Sequence, residues 1–147
     1  MYEHIKALFA HKVPFAAHTS VTVTEVGPGT AQAVLPERDE LKNHIGSQHA
    51  AALFCLGETA SGAAMGGALG AHLATSRPVA ADAQIKYEKV ARGPITAFAT
   101  CDIEASEIIE TLTNEGKIVF NVEVVMKDAD DLQVCSMRVA WHVRHTG

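Results

Sequence analysis

One stretch of the chain, residues 47–73, limits the possible folds more than any other. It consists largely of Ala, Gly and Leu, it begins with Ser47, and it carries one carboxylate, Glu58, near its middle. This composition and length predict a long central helix, with Ser47 as its N-cap because a serine hydroxyl can accept a hydrogen bond from an unpaired backbone N–H. A carboxylate buried alone in an apolar helix is energetically costly. We therefore expect Glu58 to be paired, protonated or functional.

The same stretch also has one feature of a membrane span. Gly62, Gly66 and Gly70 follow the four-residue spacing that lets membrane helices approach each other closely. However, Glu58 interrupts the stretch, and Ala and Gly are only weakly apolar. We expect no membrane span, and instead a helix whose small residues allow a sheet to pack closely against it.

Strand-like patterns lie on both sides of this helix. Apolar or β-branched residues that alternate at period two predict six strands, at residues 19–26, 30–35, 83–90, 95–103, 117–126 and 132–143. Shorter amphipathic helices are predicted at residues 2–12, ended by Pro14, and at residues 104–115. An antiparallel sheet with one apolar face needs a cover, and the long helix can supply it. The sequence thus predicts a single α+β domain, residues 1–147, with a sheet of five to six strands wrapped around one long helix.

Composition restricts the possible partners and cofactors. The net charge is −5 and no run of Lys or Arg is present, which argues against a nucleic-acid partner. Cys55, Cys101 and Cys135 have no paired spacing and apolar surroundings, so we expect buried free thiols in a reducing cytoplasm. Residues 2–8 lack the apolar core of a signal peptide. The histidines show no metal-ligand spacing, and we expect no metal.

The start of the long helix and Glu58 carry the candidate chemistry. Nine positions separate His49 from Glu58, which in a regular helix places them on opposite sides and about 13 Å apart along the axis. The sequence therefore predicts that one site using both residues takes them from two subunits of a two-fold dimer. Backbone N–H groups near Ala50 could polarise a carbonyl oxygen. Apolar neighbours would raise the pKa of Glu58 toward the range of a useful base.

Each of these residues also has a purely structural interpretation. Glu58 could bond to Thr59, Ser61 or a neighbouring strand. His49 could cap the helix or lie on the surface, and Asn43 could be an ordinary turn residue. Residue types and spacing alone leave these alternatives open.

Residues 43–60 resemble the active-site signature of hotdog-fold acyl-CoA thioesterases of the phenylacetate-pathway and THEM type. In that signature an Asn precedes a His-Gly-Gly sequence, which is followed by an acidic residue and Thr-Ala. Here the corresponding residues are Asn43, residues 49–51 (His-Ala-Ala) and residues 58–60 (Glu-Thr-Ala). The acidic segment at residues 104–115 resembles an insert of a less characterised branch of that superfamily. The resemblance implies the hotdog fold for the predicted domain.

The resemblance also implies an activity, the hydrolysis of acyl-CoA or acyl-carrier thioesters by a homodimer or homotetramer, with coenzyme A needed only as part of the substrate. It implies that Glu58 is the general base or nucleophile, and that Asn43 positions the attacking water or Glu58. His49 would hold the thioester oxygen. Contacts with the substrate are implied for Gly46, Ala50 and Ala51.

The chain departs from the family pattern at two points that bear on function, residues 50–51 and Ala80, which stands at a strand position that often bears a hydroxyl in the THEM-type enzymes. Ala50 and Ala51 stand where the thioesterases have Gly-Gly, and a methyl group allows a ligand less close approach to the backbone. The alternative function is therefore a non-catalytic protein that binds acyl-CoA or an acyl chain in the same fold. The hydratase branch of the fold ranks third, because the His and acid pairing of those enzymes is not visible here.

Overall fold

A computed structural model describes residues 2–147, which form one antiparallel sheet and a set of helices. The helices of this part of the chain are α1 (Glu3–His11), α2 (Pro14–His18), α3 (Ala50–Leu69) and α4 (Ala105–Glu115). The strands are β1 (Thr22–Gly27), β2 (Thr30–Leu35), β3 (Ser76–Tyr87), β4 (Ile95–Cys101), β5 (Lys117–Lys127) and β6 (Gln133–His145). Short 3₁₀ turns cover Asp39–Leu41 and Gly70–Thr75.

The sheet has the strand order β1-β2-β4-β5-β6-β3, with β1 and β3 at its edges. One face of the sheet packs on α3, and the alternation of buried and exposed residues follows from this. In β5, for example, Ile118, Phe120, Val122 and Val124 are buried while Glu123 is exposed. Strands β2, β4 and β5 and most of β6 bury every second side chain in this way, whereas the edge strands β1 and β3 bury one residue and none. The predicted α+β architecture, a sheet wrapped around one long helix, is confirmed.

Glycines in α3 let the sheet approach the helix backbone closely. A Cβ atom at Gly57 would lie 2.5 Å from the Met137 sulfur and 2.7 Å from the Met126 methyl carbon. A Cβ atom at Gly67 would collide with the backbone carbonyl oxygen of Gly27. The sheet therefore approaches this helix closely, as the sequence predicted, and at Gly67 the packing leaves no room for any side chain.

The predicted bounds of the central helix are wrong at both ends. The N-cap is His49 and not Ser47, because the Ser47 hydroxyl is buried and accepts a hydrogen bond from the Asn43 side-chain amide at 2.8 Å. That hydroxyl belongs to the loop and is not available to cap the helix. At the other end the α-helix stops at Leu69, where Gly70 has a φ of +54°. A 3₁₀ turn and not a further α-helical turn follows.

Three further predicted bounds of helices and strands need correction. Pro14 ends α1 but also begins α2, a short helix that was not predicted, at the first helical position where the missing N–H costs nothing. Strand β1 starts at Thr22 and not at residue 19. Strand β3 runs from Ser76 to Tyr87 and not from 83 to 90, because it is an edge strand that tolerates Pro78. The other helices and strands agree with the predictions within two residues.

The buried core confirms the expected free thiols and contains one polar contact between helix and sheet. Cys55, Cys101 and Cys135 are all buried and unpaired. Trp141 of β6 lies on the inner face, and its indole N–H donates to the Ser61 hydroxyl of α3 at 3.1 Å. Within residues 2–147, no helix is long and apolar enough to cross a membrane.

Candidate active site

Helix α3 is buried all round except for one narrow stripe. Ala50, Ala51 and Phe54 are exposed, Glu58 is half-buried, and every other residue of the helix is buried. Positions 51, 54 and 58 lie three and four residues apart, so their side chains share one face. Glu58 is the one ionisable side chain on that face of α3.

A groove of about 650 Å³ runs along this exposed stripe. It is formed by α2, the first half of α3 and the end of β3. The groove is lined by Phe15, His49, Ala50, Ala51, Phe54, Cys55, Glu58 and Tyr87. Most of these side chains are apolar, so a carboxylate and an imidazole face the same hydrophobic space.

The carboxylate of Glu58 has neither a hydrogen bond nor an ion pair within the described part of the chain. Ser61 donates to the backbone carbonyl of Glu58 at 2.7 Å and does not reach the carboxylate. Thr59 is buried beside Cys55, at 3.9 Å from its sulfur. Burial raises the pKa of Glu58, because removal from water disfavours the charged form. The structural alternative, in which Thr59 or Ser61 binds this carboxylate, therefore finds no support.

His49 caps α3 with its own side chain. Its backbone is extended, and its Nδ1 atom accepts a hydrogen bond from the Ala51 N–H at 2.9 Å. Because Nδ1 is the acceptor, a neutral His49 carries its proton on Nε2 and can donate it into the groove. Ala50 is the first residue of the helix, so its N–H has no partner within the helix.

The predicted opposite orientation of His49 and Glu58 is wrong, since both line one groove of one chain. The prediction extended regular helical geometry back to residue 49. As the N-cap, His49 has φ −68° and ψ 142°, so the rotation of 100° per residue does not hold across it. Ala50 and Glu58 both lie in the regular part of the helix, eight residues and about 12 Å apart along its axis.

Asn43 and Gly46 lie outside this groove, in the loop that precedes α3. The Asn43 carboxamide oxygen accepts from the N–H groups of Ile45 and Ser47, at 3.1 and 3.0 Å, and its NH₂ group donates to the Ser47 hydroxyl. Gly46 has a φ of +79° and donates its N–H to the Asn43 carbonyl. Asn43 also lines a smaller pocket of about 340 Å³ that shares Ala50 with the groove. The geometry of both residues is that of a turn.

Four groove residues were not among the predicted site residues: Phe15, Phe54, Cys55 and Tyr87. Tyr87 donates its hydroxyl to the Ala50 carbonyl oxygen at 3.1 Å and thereby joins the end of β3 to the start of α3. Phe15 lies on α2 and is 66% exposed. The alternating pattern of β3 places Tyr87 on the same face as Ile85, and this pattern could have indicated that Tyr87 faces the helix. No sequence pattern indicated the position of Phe15, because helix α2 was not predicted.

Among residues 2–147, no three His, Cys, Asp or Glu side chains lie close enough together to hold a metal ion.

The model of the family "Domain of unknown function (DUF4442)" matches residues 2–143. The chain belongs to the DUF4442 family. A comparison of this DUF4442 chain with curated proteins gives no match.

Several solved structures are similar to this DUF4442 chain over nearly its whole length. A probable thioesterase of Pseudomonas aeruginosa, PA5026, has a TM-score of 0.83 at 23% identity, covering 97% of this chain and 95% of its own. Thioesterase HI1161 of Haemophilus influenzae has a TM-score of 0.73 at 17% identity, with coverages of 99% and 92%. A mutant of thioesterase SAV0944 from Staphylococcus aureus has a TM-score of 0.73 at 19% identity, with coverages of 89% and 98%. The DUF4442 chain therefore has the hotdog fold of these proteins, as its sequence predicted.

Proposed function

We propose that this protein hydrolyses acyl thioesters at the groove along α3. The observation that supports the proposal most strongly is the Glu58 carboxylate, which is half-buried, has a raised pKa and faces an apolar groove without a partner in the described chain. An unpaired carboxylate in such a place costs stability, and a catalytic role explains why it is there. The similarity in fold to proteins described as thioesterases agrees with this reaction class.

In the proposed reaction, Glu58 removes a proton from water as the water oxygen attacks the thioester carbonyl carbon. The carbonyl π bond opens and places negative charge on its oxygen. When that oxygen re-forms the double bond, the carbon–sulfur bond breaks and the sulfur leaves as a thiolate. Protonated Glu58 returns its proton to the sulfur, so the products are a free acid and a free thiol. In a variant of this path, the Glu58 carboxylate attacks the carbonyl carbon and displaces the thiolate; water then hydrolyses the resulting anhydride to the free acid and the Glu58 carboxylate, and the water's second proton goes to the thiolate.

The start of α3 is suited to bind the developing oxyanion. The Nε2–H of His49 and the backbone N–H of Ala50 are both available as donors, and the helix dipole adds partial positive charge there. Ala50 is about 12 Å along the helix axis from Glu58 of the same chain, measured between backbone positions. At that separation we expect one thioester carbonyl to contact these donors and a Glu58 carboxylate only when they come from different subunits.

We therefore propose that the site is shared between two copies of the chain, in a homodimer or in a homotetramer built from such dimers. Strand β3 supports a dimer, because it is a 12-residue edge strand with none of its residues buried. An edge strand this long exposes many unpaired backbone groups and is a favourable place for pairing with another chain. A two-fold axis would bring the helix start of one subunit toward Glu58 of the other.

The proposed substrate is an acyl-CoA or an acyl-carrier thioester, and coenzyme A enters only as part of it. The aromatic rings of Phe15 and Phe54 would contact the acyl chain, since both are exposed and line the groove. Asn43 and Gly46 would act on the substrate only by shaping the loop before α3. We place the reaction in the cytoplasm, where buried free cysteines stay reduced.

The direct test is release of free thiol from a panel of acyl-CoA esters of increasing chain length. We expect the wild-type protein to cleave at least one ester and Glu58→Gln to lower kcat/KM by about 100-fold or more, since general bases contribute about 10²–10⁴-fold. Glu107→Gln is the control, because this exposed carboxylate of α4 lies outside the groove. Wild-type activity in Glu58→Gln would refute the catalytic role.

The shared site has its own test. Light scattering at micromolar protein should give the mass of a dimer or tetramer. Mixing inactive Glu58→Gln with inactive His49→Ala should restore part of the activity, because hybrid dimers contain one intact site. A monomeric, fully active wild-type protein would contradict the shared site while leaving thioester hydrolysis standing.

One observation favours the alternative of a non-catalytic acyl-binding protein. The N–H of Ala51 is already bonded to His49, so this residue cannot supply a second oxyanion donor. A protein that binds acyl-CoA, releases no thiol from any ester and binds equally well as Glu58→Gln would fit the alternative and exclude the enzyme.

A further inference from the structure

Three cations form a row across neighbouring strands on the outer face of the sheet. Arg144 of β6 lies opposite Arg77 of β3 on one side and opposite Lys117 of β5 on the other. All three are exposed. Residues directly opposite one another in a sheet point to the same side, with Cβ atoms about 5 Å apart. Their neighbours along the strands, Val143 and Ile118, are buried against the core, so the row faces outward.

This cationic row is not neutralised by ion pairs in the described chain. None of the three side chains forms an ion pair there, whereas Arg138, on the same strand and face, is paired with Glu123 at 2.7 Å. Like charges directly opposite each other destabilise a sheet. The protein carries a net charge of −5, yet three of its 12 Lys and Arg residues are in this one row. Such an arrangement is more favourable with an anion bound than without one.

The row borders a cavity of about 630 Å³. The next outward-facing row consists of Val79, His142 and Val119, with both valines more than half exposed. Glu115, at the end of α4, lies at the rim of the cavity. The cavity thus offers three cations and an imidazole on one side and a small apolar floor beside them.

We propose that this cavity binds an anion that carries one or two phosphate groups. Guanidinium groups bind phosphate oxygens through two parallel hydrogen bonds, and a lysine adds a further charge. Two Arg and one Lys in a row match the charge of a diphosphate. Val79 and Val119 would contact any apolar part of the ligand, such as the base of a nucleotide.

The cavity is separate from the groove of the proposed active site. Arg77 and Tyr87 are ten residues apart on β3, a distance of about 33 Å along an extended strand. Tyr87 lies opposite the buried Cys135 and so faces the helix side, whereas Arg77 lies opposite the exposed Arg144. Phosphate binding at the cavity therefore does not depend on thioester hydrolysis at the groove.

Titration with sodium pyrophosphate, followed by backbone amide NMR and calorimetry, tests the proposal. Amide shifts should concentrate at the first residues of β3 and β5 and the last residues of β6. Arg144→Gln should weaken binding by at least 10-fold, since hydrogen bonds to charged groups contribute about 1.5–3 kcal/mol. Arg138→Gln is the matched control and should change the affinity by less than about 2-fold, because its charge is already paired.

Titrations with ADP and adenosine identify the source of the phosphate. Tighter binding of ADP than of pyrophosphate would indicate a nucleotide, and equal binding would indicate a free diphosphate; both support the site. Adenosine that binds as tightly as ADP would overturn the proposal, because phosphate would then contribute nothing. Undiminished binding to Arg144→Gln, or shifts confined to the Lys86–Lys89 end of β3, would also overturn it. Lys117→Gln serves as the second variant if Arg144→Gln unfolds.

Discussion

The Nδ1 atom of His49 accepts a hydrogen bond from the backbone N–H of Ala51, at 2.9 Å. This contact has two consequences. It satisfies one of the unpaired N–H groups at the start of α3, and so it sets where the helix begins. It also leaves Nε2 as the donor of a neutral imidazole, which is the atom that the proposed reaction uses.

Capping and chemistry at His49 can be separated by two substitutions. His49→Ala should lower the free energy of unfolding by about 1 kcal/mol, because alanine cannot cap. His49→Asn should retain most of the stability, since asparagine caps well, but lose the Nε2 donor. We expect both variants to lose about 100-fold in kcat, as measured by thiol release. If His49→Asn keeps the wild-type rate, His49 is only a cap.

Glu58 should make stability depend on pH. Burial raises its pKa in the folded state, so the folded protein holds this proton more strongly than the unfolded chain does. The stability from the bound proton is fully present below the unfolded pKa and is lost as the pH rises through the folded pKa. Glu58→Gln should therefore be more stable than wild type by about 1 kcal/mol at neutral pH.

Urea denaturation at several pH values measures this difference. The advantage of Glu58→Gln should shrink as the pH falls and disappear below the ordinary pKa of a glutamate, where Glu58 is protonated in both the folded and the unfolded state. A constant difference across this range would mean that the carboxylate is ionised equally in the folded and unfolded states.

The rate of hydrolysis should follow the same titration. A general base works only when deprotonated, so kcat/KM should rise with pH as Glu58 ionises. The midpoint of this rise should lie above the ordinary range of a glutamate, because burial raises the pKa. A midpoint within the ordinary range would assign the titration to an exposed carboxylate.

Adjacent glycines of α3 should respond to alanine in opposite ways. At Gly67 a Cβ would meet the Gly27 carbonyl oxygen and a Val26 methyl, both in β1, so Gly67→Ala should destabilise the protein by about 3 kcal/mol or more. At Gly66 the nearest atom is an Ile5 methyl carbon at 3.4 Å, an ordinary contact. Gly66→Ala should be neutral or stabilise by up to about 1 kcal/mol, because alanine favours the helix. Thermal unfolding of both variants would show the contrast, and similar losses at the two positions would contradict the packing of β1 on α3.

Tyr87→Phe removes the hydroxyl that bonds to Ala50 and keeps the ring in the groove wall. The bond is exposed, so the free energy of unfolding should fall by about 0.5–1 kcal/mol. If the bond holds the helix start in place for the oxyanion, kcat should fall more than KM rises. Equal activity of Tyr87→Phe and wild type would limit Tyr87 to lining the groove.

Much of the fold could be predicted from the sequence because its signals are local. Period-two alternation located β2, β4, β5 and β6 within two residues, and a run of Ala, Gly and Leu around Glu58 located α3. The prediction failed where tertiary contacts override local preference. Serine is a favourable N-cap residue, but the Ser47 hydroxyl is hydrogen-bonded to the Asn43 side chain instead. Proline usually interrupts a strand, yet Pro78 lies within β3 because an edge strand tolerates a missing N–H.

The sequence by itself determined the architecture and singled out Glu58, since an ionisable group in an apolar helix is unusual in any fold. Only the tertiary structure decided what surrounds that group. It brought Phe15 and Tyr87, 43 and 29 positions away along the chain, to the groove of Glu58, and it placed Arg77, Lys117 and Arg144 in one row. These neighbours come from the pairing of distant strands and from cap geometry, and no periodicity within a single segment encodes them.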